Sequence, residues 1–163
     1  HPEFEGYNGQ QINQADVALL QYPLGLVFPR DVAVADLNYY IPKTPSNGMY
    51  TGDLAYAVAW LRLGNRTSAD MQWQTAFAHM KAPFNVWSER EVGGHTNFIT
   101  GAGCFMQAVQ QGYSGMSPEA SPRGALAFDS RRLPPYTTGV TLHHLDFLGT
   151  SFTLGFDAST TTV

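Results

Sequence analysis

The chain has 163 residues, of which 44% are hydrophobic and 13% are charged. That charged fraction is about half of the usual one, so we expect an unusually large buried surface, part of it packed against something beyond the chain's own core. The formal net charge of −4 argues against nucleic acid and against an anionic membrane surface as partners, and no apolar run reaches the roughly 20 residues of a membrane span.

The first twenty residues combine carboxylates with aromatic and glycine residues. Glu3 and Glu5 precede Gly6, which predicts a loop or strand end around them. A buried helix is predicted over residues 11–20, with Gln14 among its polar members. Carboxylates on a loop ahead of a buried helix fit acid/base residues, whereas the residue types alone favour solvated carboxylates near a terminus.

Two further helices follow, separated by a proline-containing turn. The first is predicted over residues 31–40, with Asp31 as its N-cap and Pro42 after its end. The second begins at Thr51 or Asp53 and is apolar on all faces over residues 54–61, which is typical of a helix buried among other helices. Gly64 is predicted to end it.

The next helix is predicted to begin at the cap Thr67-Ser68 and to present four large apolar side chains at helical spacing. Asn65-Arg66-Thr67 is a glycosylation sequon, which favours a secreted or vacuolar/lysosomal location over the cytoplasm. The four apolar residues are Trp73, Phe77, Met80 and Phe84.

Residues 86–95 are predicted to form a loop that carries Trp87, Glu89 and His95. The glutamate and the histidine fit either an acid/base cluster or a solvated loop, and Trp87 fits either the core or a platform that stacks on a sugar ring. A helix is predicted over residues 98–109.

Gly101 and Gly103 lie inside this last predicted helix and cost about 1 kcal/mol each relative to Ala. They therefore predict close approach of a neighbouring helix or ligand. Gly112 is predicted to end the helix.

From Ser117 onward the helical periodicity is lost, and alternating residues in segments 140–142 and 152–156 predict short strands. The fold class is therefore mainly α, with a short β region at the end of the chain. Adjacent His143 and His144 point to opposite faces of a strand, and Cys104 is the single cysteine, so no metal site and no cofactor is predicted.

Five segments resemble family 65 of the glycoside hydrolases, and within it the branch of protein-glucosylgalactosylhydroxylysine glucosidases. Acid trehalases and kojibiose hydrolases are relatives of that branch. The segments are residues 1–7 (HPEFEGY), 14–17 (QADV), 84–89 (FNVWSE), 97–103 (NFITGAG) and 107–109 (QAV).

The resemblance implies a division of the chain into two parts. Residues 1–116 are expected to be the C-terminal portion of an (α/α)₆ barrel catalytic domain, and residues 117–163 part of a small C-terminal β domain. The family's general acid lies on an upstream segment. We therefore interpret the chain as a fragment or processed chain that is active only together with a larger chain or segment carrying that acid.

The resemblance also implies site residues. Glu3 corresponds to the general base, a carboxylate that activates water in an inverting glycosidase at roughly 6.5–9.5 Å from the acid. Asn13 and Gln14 stand where many relatives have a Lys-Gln pair that binds the non-reducing glucose, and Trp87 and Glu89 are expected at the rim of the substrate site.

Ser46-Asn47-Gly48-Met49 stands where the family's phosphorylases carry a phosphate cradle, and it lacks cations and paired hydroxyls. Water is therefore the expected acceptor. The implied function is hydrolysis of a terminal α-linked glucose from a disaccharide unit that resembles glucosyl-galactosyl-hydroxylysine. The alternatives are an acid-trehalase-type hydrolase and a non-catalytic carbohydrate-binding or structural subunit, and the presence of the upstream half in the same particle discriminates between enzyme and subunit.

Overall fold

The computed structural model describes residues 15–45, 48–49, 51–117, 125–128 and 132–163. Helices predominate up to residue 113 and strands after it, so the expectation of a mainly α chain with a short β region is confirmed. The helices are α1 (Asp16–Gln21), α2 (Arg30–Tyr40), α3 (Thr51–Arg62), α4 (Arg66–Ala76) and α5 (Ile99–Gln107), with 3₁₀ turns at Ile41–Lys43 and Phe77–His79 and a π-helical segment at Ala108–Tyr113.

Helix α3 is the centre of the core, as its all-round apolar sequence predicts. Leu54 and every residue from 56 to 61 are buried, because α1, α4, α5 and the π-helical segment all pack against it. Gly64 ends the helix in the left-handed region at φ +74°, which glycine adopts without a Cβ clash. The predicted stop is thus confirmed.

Two predicted helix caps are wrong by two or three residues. Asp31 lies in the first turn of α2, and the helix begins at Arg30 after Pro29, without a side-chain cap. In α4 the cap is Asn65, because its side chain accepts a hydrogen bond from the backbone N–H of Ser68 at 3.1 Å. Asn caps as well as Ser does, and it is the first residue after the left-handed Gly64.

Helix α4 ends at Ala76, earlier than the spacing of its apolar residues predicts. The chain passes through the 3₁₀ turn and enters β1 (Met80–Lys81), which pairs antiparallel with β2 (Val86–Trp87). Pro83 disfavours the helical conformation for the residue before it. Phe84 is consequently 84% exposed, so the prediction that it continues the apolar face of the helix is wrong, as is the loop assignment for Val86–Trp87.

Close approach was predicted at Gly101 and Gly103 of α5, and the two glycines differ, because Gly101 is buried and Gly103 is exposed. A Cβ on Gly103 meets no atom of the described residues within 4 Å. A Cβ on Gly112 lies 3.0 Å from Leu61 Cδ1 and 3.3 Å from Val58 Cγ2. Gly112 therefore lies inside the π-helical segment against α3, and the prediction that it ends the helix is wrong.

The β region after residue 116 contains a hairpin of the predicted strands. Leu154 and Phe156 on its second strand are buried. A bulge lies between Leu142 and Leu145, where His144 has a φ of +54°, so the regular alternation assumed for the two histidines is interrupted. The strands are β3 (Met116–Ser117) with β4 (Ala127–Phe128), and β5 (Gly139–Phe147) with β6 (Thr150–Asp157) and β7 (Thr161–Thr162), all antiparallel.

Within the described ranges, the structure contains no helix that is long and apolar enough to cross a membrane.

Candidate functional site

The five predicted site residues fall into two groups. Glu3, Asn13 and Gln14 lie outside the residues that the structure describes, so their predicted roles stay predictions. Trp87 and Glu89 are described, and both belong to the segment that follows α4 and β1. The structure adds a cavity at the start of α3, which sequence reasoning did not identify.

The cavity has a volume of about 160 Å³ and lies between the start of α3, the second half of α4 and the turn that follows α2. It borders on Gly48 and Met49, the described part of the tetrapeptide that is predicted to stand in place of a phosphate cradle. Its polar wall is formed by Thr44, Asp53, Tyr56, Gln72 and Thr75, and its apolar wall includes Ile41, Pro45 and Met49.

Hydrogen bonds fix the wall formed by the turn. The Thr44 hydroxyl donates to the backbone carbonyl of Tyr40 at 3.2 Å, so the Tyr56 hydroxyl, 3.0 Å away, is the donor to Thr44 Oγ1. The Gly48 N–H donates to the carbonyl of Pro45 at 2.8 Å. A Cβ on Gly48 lies 2.9 Å from that carbonyl oxygen, so this tight turn requires glycine.

Asp53 is the chemically distinctive group of the cavity. Burial raises the pKa of its carboxyl from 3.8 to about 7, because the low-dielectric surroundings disfavour the charged form. Near neutral pH the group is therefore present both with and without its proton, which suits a group that binds or releases one. The available sequence signal was a single charged residue in the otherwise uncharged stretch from Thr51 to Leu61.

The start of α1 lies against the same corner of α3. A Cβ on Gly52 meets Tyr56 Cε2 at 3.7 Å, Thr44 Cγ2 at 3.9 Å and the Cβ of Ala15 at 4.0 Å. Ala15 is the residue that directly follows the predicted sugar contacts in sequence. Ala15 therefore lies beside the wall of the cavity.

Trp87 attaches the segment after β1 to the end of α4. Its indole N–H donates to the carbonyl of Ala76 at 3.2 Å, next to Thr75 in the cavity wall. Its ring is half-buried, with centroid distances of 4.7 Å to Phe105 and 5.6 Å to Phe77. The indole therefore belongs to the aromatic cluster between α4 and α5, and only part of its ring is exposed to a possible ligand.

Glu89 lies in a loop with a fixed backbone. Its N–H donates to the carbonyl of His95 at 2.8 Å, and the N–H of His95 donates to Glu89 Oε2 at 3.1 Å. Gly94 has a φ of +76°, and a Cβ there lies 3.0 Å from the Cβ of Glu89. The carboxylate thus pairs with the backbone amide of His95, which holds it in one position.

In the part of the chain that the structure describes, no three His, Cys, Asp or Glu side chains come together as ligands for a metal ion.

No protein-family model matches the chain. Three relatives show what it is similar to. The protein-glucosylgalactosylhydroxylysine glucosidase of Dictyostelium discoideum is 36% identical over 163 residues, which cover 99% of this chain and 22% of the relative. A kojibiose hydrolase of Flavobacterium johnsoniae is 34% identical over 73% of this chain and 18% of its own length. A periplasmic/secreted acid trehalase of Candida glabrata is 29% identical over 90% of this chain and 14% of its own length.

These relatives are all glycosidases by name. The resemblance to family 65 of the glycoside hydrolases, predicted from the sequence motifs, is confirmed by these similarities. The chain spans about a fifth of the length of the glucosidases that it matches over nearly all of its residues.

Proposed function

We propose that the chain is the C-terminal portion of an inverting α-glucosidase, which hydrolyses a terminal α-linked glucose from a disaccharide unit such as glucosyl-galactosyl-hydroxylysine. The observation that carries this proposal is the 36% identity to a glucosidase of that specificity over 99% of the chain. The acid trehalase matches 90% of the chain at 29% identity, and this broad coverage makes an acid-trehalase-type hydrolase the second candidate.

Within this proposal Glu3 is the general base. It activates water on the face of the sugar opposite the leaving group, while a general acid on the longer protein protonates the glycosidic oxygen. Gln14 and Asn13 contact the glucose, and Glu89 and the exposed part of Trp87 form the rim. The fixed loop geometry around Glu89 supports a rim role, because a preorganised carboxylate binds a sugar hydroxyl with little further ordering.

Water as the acceptor is supported by the lining of the cavity at the start of α3. Phosphate binding favours cations and clustered hydrogen-bond donors. The described wall carries no Lys or Arg, and it includes the Asp53 carboxyl, whose ionised form repels a phosphate anion. This wall therefore disfavours phosphate where the family's phosphorylases bind it.

The remainder of the longer protein completes the fold in this proposal. Residues 1–116 form the last helices of an (α/α)₆ barrel, and residues 117–163 form part of a β domain. The preceding barrel helices cover the face of α5 that is open here, where Ile99 is 83% and Met106 is 51% exposed. A secreted or vacuolar/lysosomal location accompanies the proposal, supported by the sequon and by the name of the trehalase relative.

The test uses the full-length protein and three substrates: glucosyl-galactosyl-hydroxylysine, kojibiose and trehalose. We expect the highest kcat/KM on the first, and β-glucose as the initial product in the NMR spectrum, because inversion of an α-linkage gives the β-anomer. Added phosphate should not divert the product to glucose 1-phosphate. Initial α-glucose, or phosphorylated sugar, contradicts the mechanism, whereas a preference for trehalose favours the second candidate.

A further inference from the structure

The turn between α3 and α4 carries the sequence Asn65-Arg66-Thr67. Asn65 follows the left-handed Gly64, and its backbone N–H donates to the carbonyl of Trp60 at 2.9 Å. It is the N-cap of α4 and lies outside regular structure, at φ −95° and ψ 82°. The three residues thus form an Asn-x-Thr acceptor sequence for glycosylation at a turn.

The two polar atoms of the Asn65 side chain have separate environments. Oδ1 accepts the capping hydrogen bond from the Ser68 N–H at 3.1 Å. Among the described residues Nδ2 donates no hydrogen bond. An N-linked glycan replaces one hydrogen on Nδ2 and leaves the carbonyl oxygen unchanged. The cap of α4 and a glycan are therefore compatible on the same side chain.

There is space around this turn for a bulky group. Gly64, Arg66 and Thr67 are exposed, and a Cβ on Gly64 meets no atom of the described chain within 4 Å. The guanidinium of Arg66 contacts Asp70 Oδ2 and the carbonyl of Leu133, each at 3.1 Å. The flanking cation is thus held by α4 and by the chain near residue 133, and it does not occupy the Asn65 amide.

We propose that Asn65 is an N-glycosylation site, a modification that goes beyond the proposed hydrolase function and does not depend on it. The donor is an oligosaccharide linked through diphosphate to a lipid. Asn65 Nδ2 forms a bond to C1 of the donor sugar and loses a proton to a base of the transferase. The bond between C1 and the diphosphate oxygen breaks, and the lipid diphosphate leaves with the electron pair.

The direct test is made on the full-length protein purified from its own cells. Peptides are treated with peptide N-glycosidase in heavy-oxygen water, which converts a glycosylated Asn to a labelled Asp, and are analysed by mass spectrometry. We expect the label at position 65. Unmodified Asn65 throughout the native protein overturns the proposal.

A set of variants, expressed in the same cells, separates the sequon from the helix cap. Thr67→Ala should abolish the glycan without changing the cap, and Thr67→Ser should retain it, because Ser also completes a sequon. Asn65→Ser should abolish the glycan while keeping a good capping residue. Carbohydrate at position 65 that persists in Thr67→Ala contradicts a sequon-directed modification.

Discussion

Helices α3 and α5 are similarly apolar and have different surroundings. Both are strongly apolar, and α5 carries no charged residue at all. Leu54 and residues 56–61 of α3 are buried, whereas α5 has only Gly101 buried along its length. Apolar composition alone therefore does not determine whether the chain buries a helix on all of its faces.

Two glycines, Gly103 and Gly112, show the same difference in packing. The π-helical extension of α5 lies so close to α3 that a Cβ on Gly112 would require Leu61 and Val58 to shift, while a Cβ on Gly103 in the open part of α5 meets no atom of the described chain within 4 Å. If the chain is the C-terminal portion of a longer glucosidase, as proposed, the rest of that protein is expected to contact the open part of α5.

The largest expected effect is on α3. Leu54 is fully buried, so Leu54→Ala should lower the free energy of unfolding by about 2–5 kcal/mol, from lost burial and the cavity left behind. The matched control is Met71→Ala on the outer face of α4, where Met71 is 62% exposed and the expected change is about 0.5 kcal/mol or less. Urea denaturation of the full-length protein measures both, and equal losses contradict the central position of α3.

The next effect concerns the carboxyl at the start of α3. Since the pKa of Asp53 is about 7 in the folded protein and 3.8 for a solvated carboxyl, the folded state binds more protons between these values. Stability is therefore complete below about pH 4 and falls as the pH rises towards 7. Each unit of pKa difference corresponds to about 1.4 kcal/mol, so the free energy of unfolding falls by at most about 4 kcal/mol.

Asp53→Asn should consequently raise the free energy of unfolding at pH 8 and leave it nearly unchanged at pH 4, because the amide resembles the protonated acid. Asp31→Asn is the control, since Asp31 is exposed in the first turn of α2. Its loss of a favourable helix-dipole contact should cost about 0.3–1 kcal/mol at pH 8. If Asp53→Asn destabilises the protein at pH 8, the carboxyl is not buried as described.

A smaller pair of opposite effects compares the two glycines. Gly112→Ala should destabilise the full-length protein by about 1–3 kcal/mol, because the added methyl overlaps with Leu61 and Val58. Gly103→Ala should stabilise the isolated 163-residue chain by up to about 1 kcal/mol through helix propensity. In the full-length protein Gly103→Ala should give no such stabilisation, because the rest of the protein is expected to contact α5 at this position. Thermal unfolding of the variants measures these differences.

The smallest effect is a change in dye binding. The isolated chain should bind a hydrophobic fluorescent dye through the open face of α5, and Ile99→Asp should reduce that fluorescence. The full-length protein should bind little dye. A dye signal from the isolated chain that does not respond to Ile99→Asp places the open apolar surface elsewhere.

Local sequence rules predicted the features that local physics controls. The all-round apolar stretch located α3, and Gly64 located its end. Several neighbouring residues can cap a helix, and side-chain geometry decides which of them does. The cap of α4 is therefore Asn65 and not the predicted Thr67-Ser68. The exposure of Phe84 depends on the strand pairing after α4, which the helical spacing does not encode.

The candidate site was predictable only where a motif carried it. The resemblance supplied Glu3 and Gln14, whose roles stay predictions. The cavity at Asp53 requires Thr44, Pro45, Gly48 and Met49 to lie against α3 and α4, and no pattern within either helix indicates this. Trp87 was identified as either core or sugar platform, and its ring contacts with Phe105 and Phe77 place most of the indole in the core.

The central claim is that this segment supplies the general base of a glucosidase, and the most direct measurement is the kcat of Glu3→Gln in the full-length protein. Loss of a general base should lower kcat by roughly 10²–10⁴, with little change in KM, because the amide still fills the site. Glu5→Gln is the matched control and should change kcat by less than about tenfold. An active Glu3→Gln protein beside an inactive Glu5→Gln protein contradicts the assignment and moves the base to Glu5.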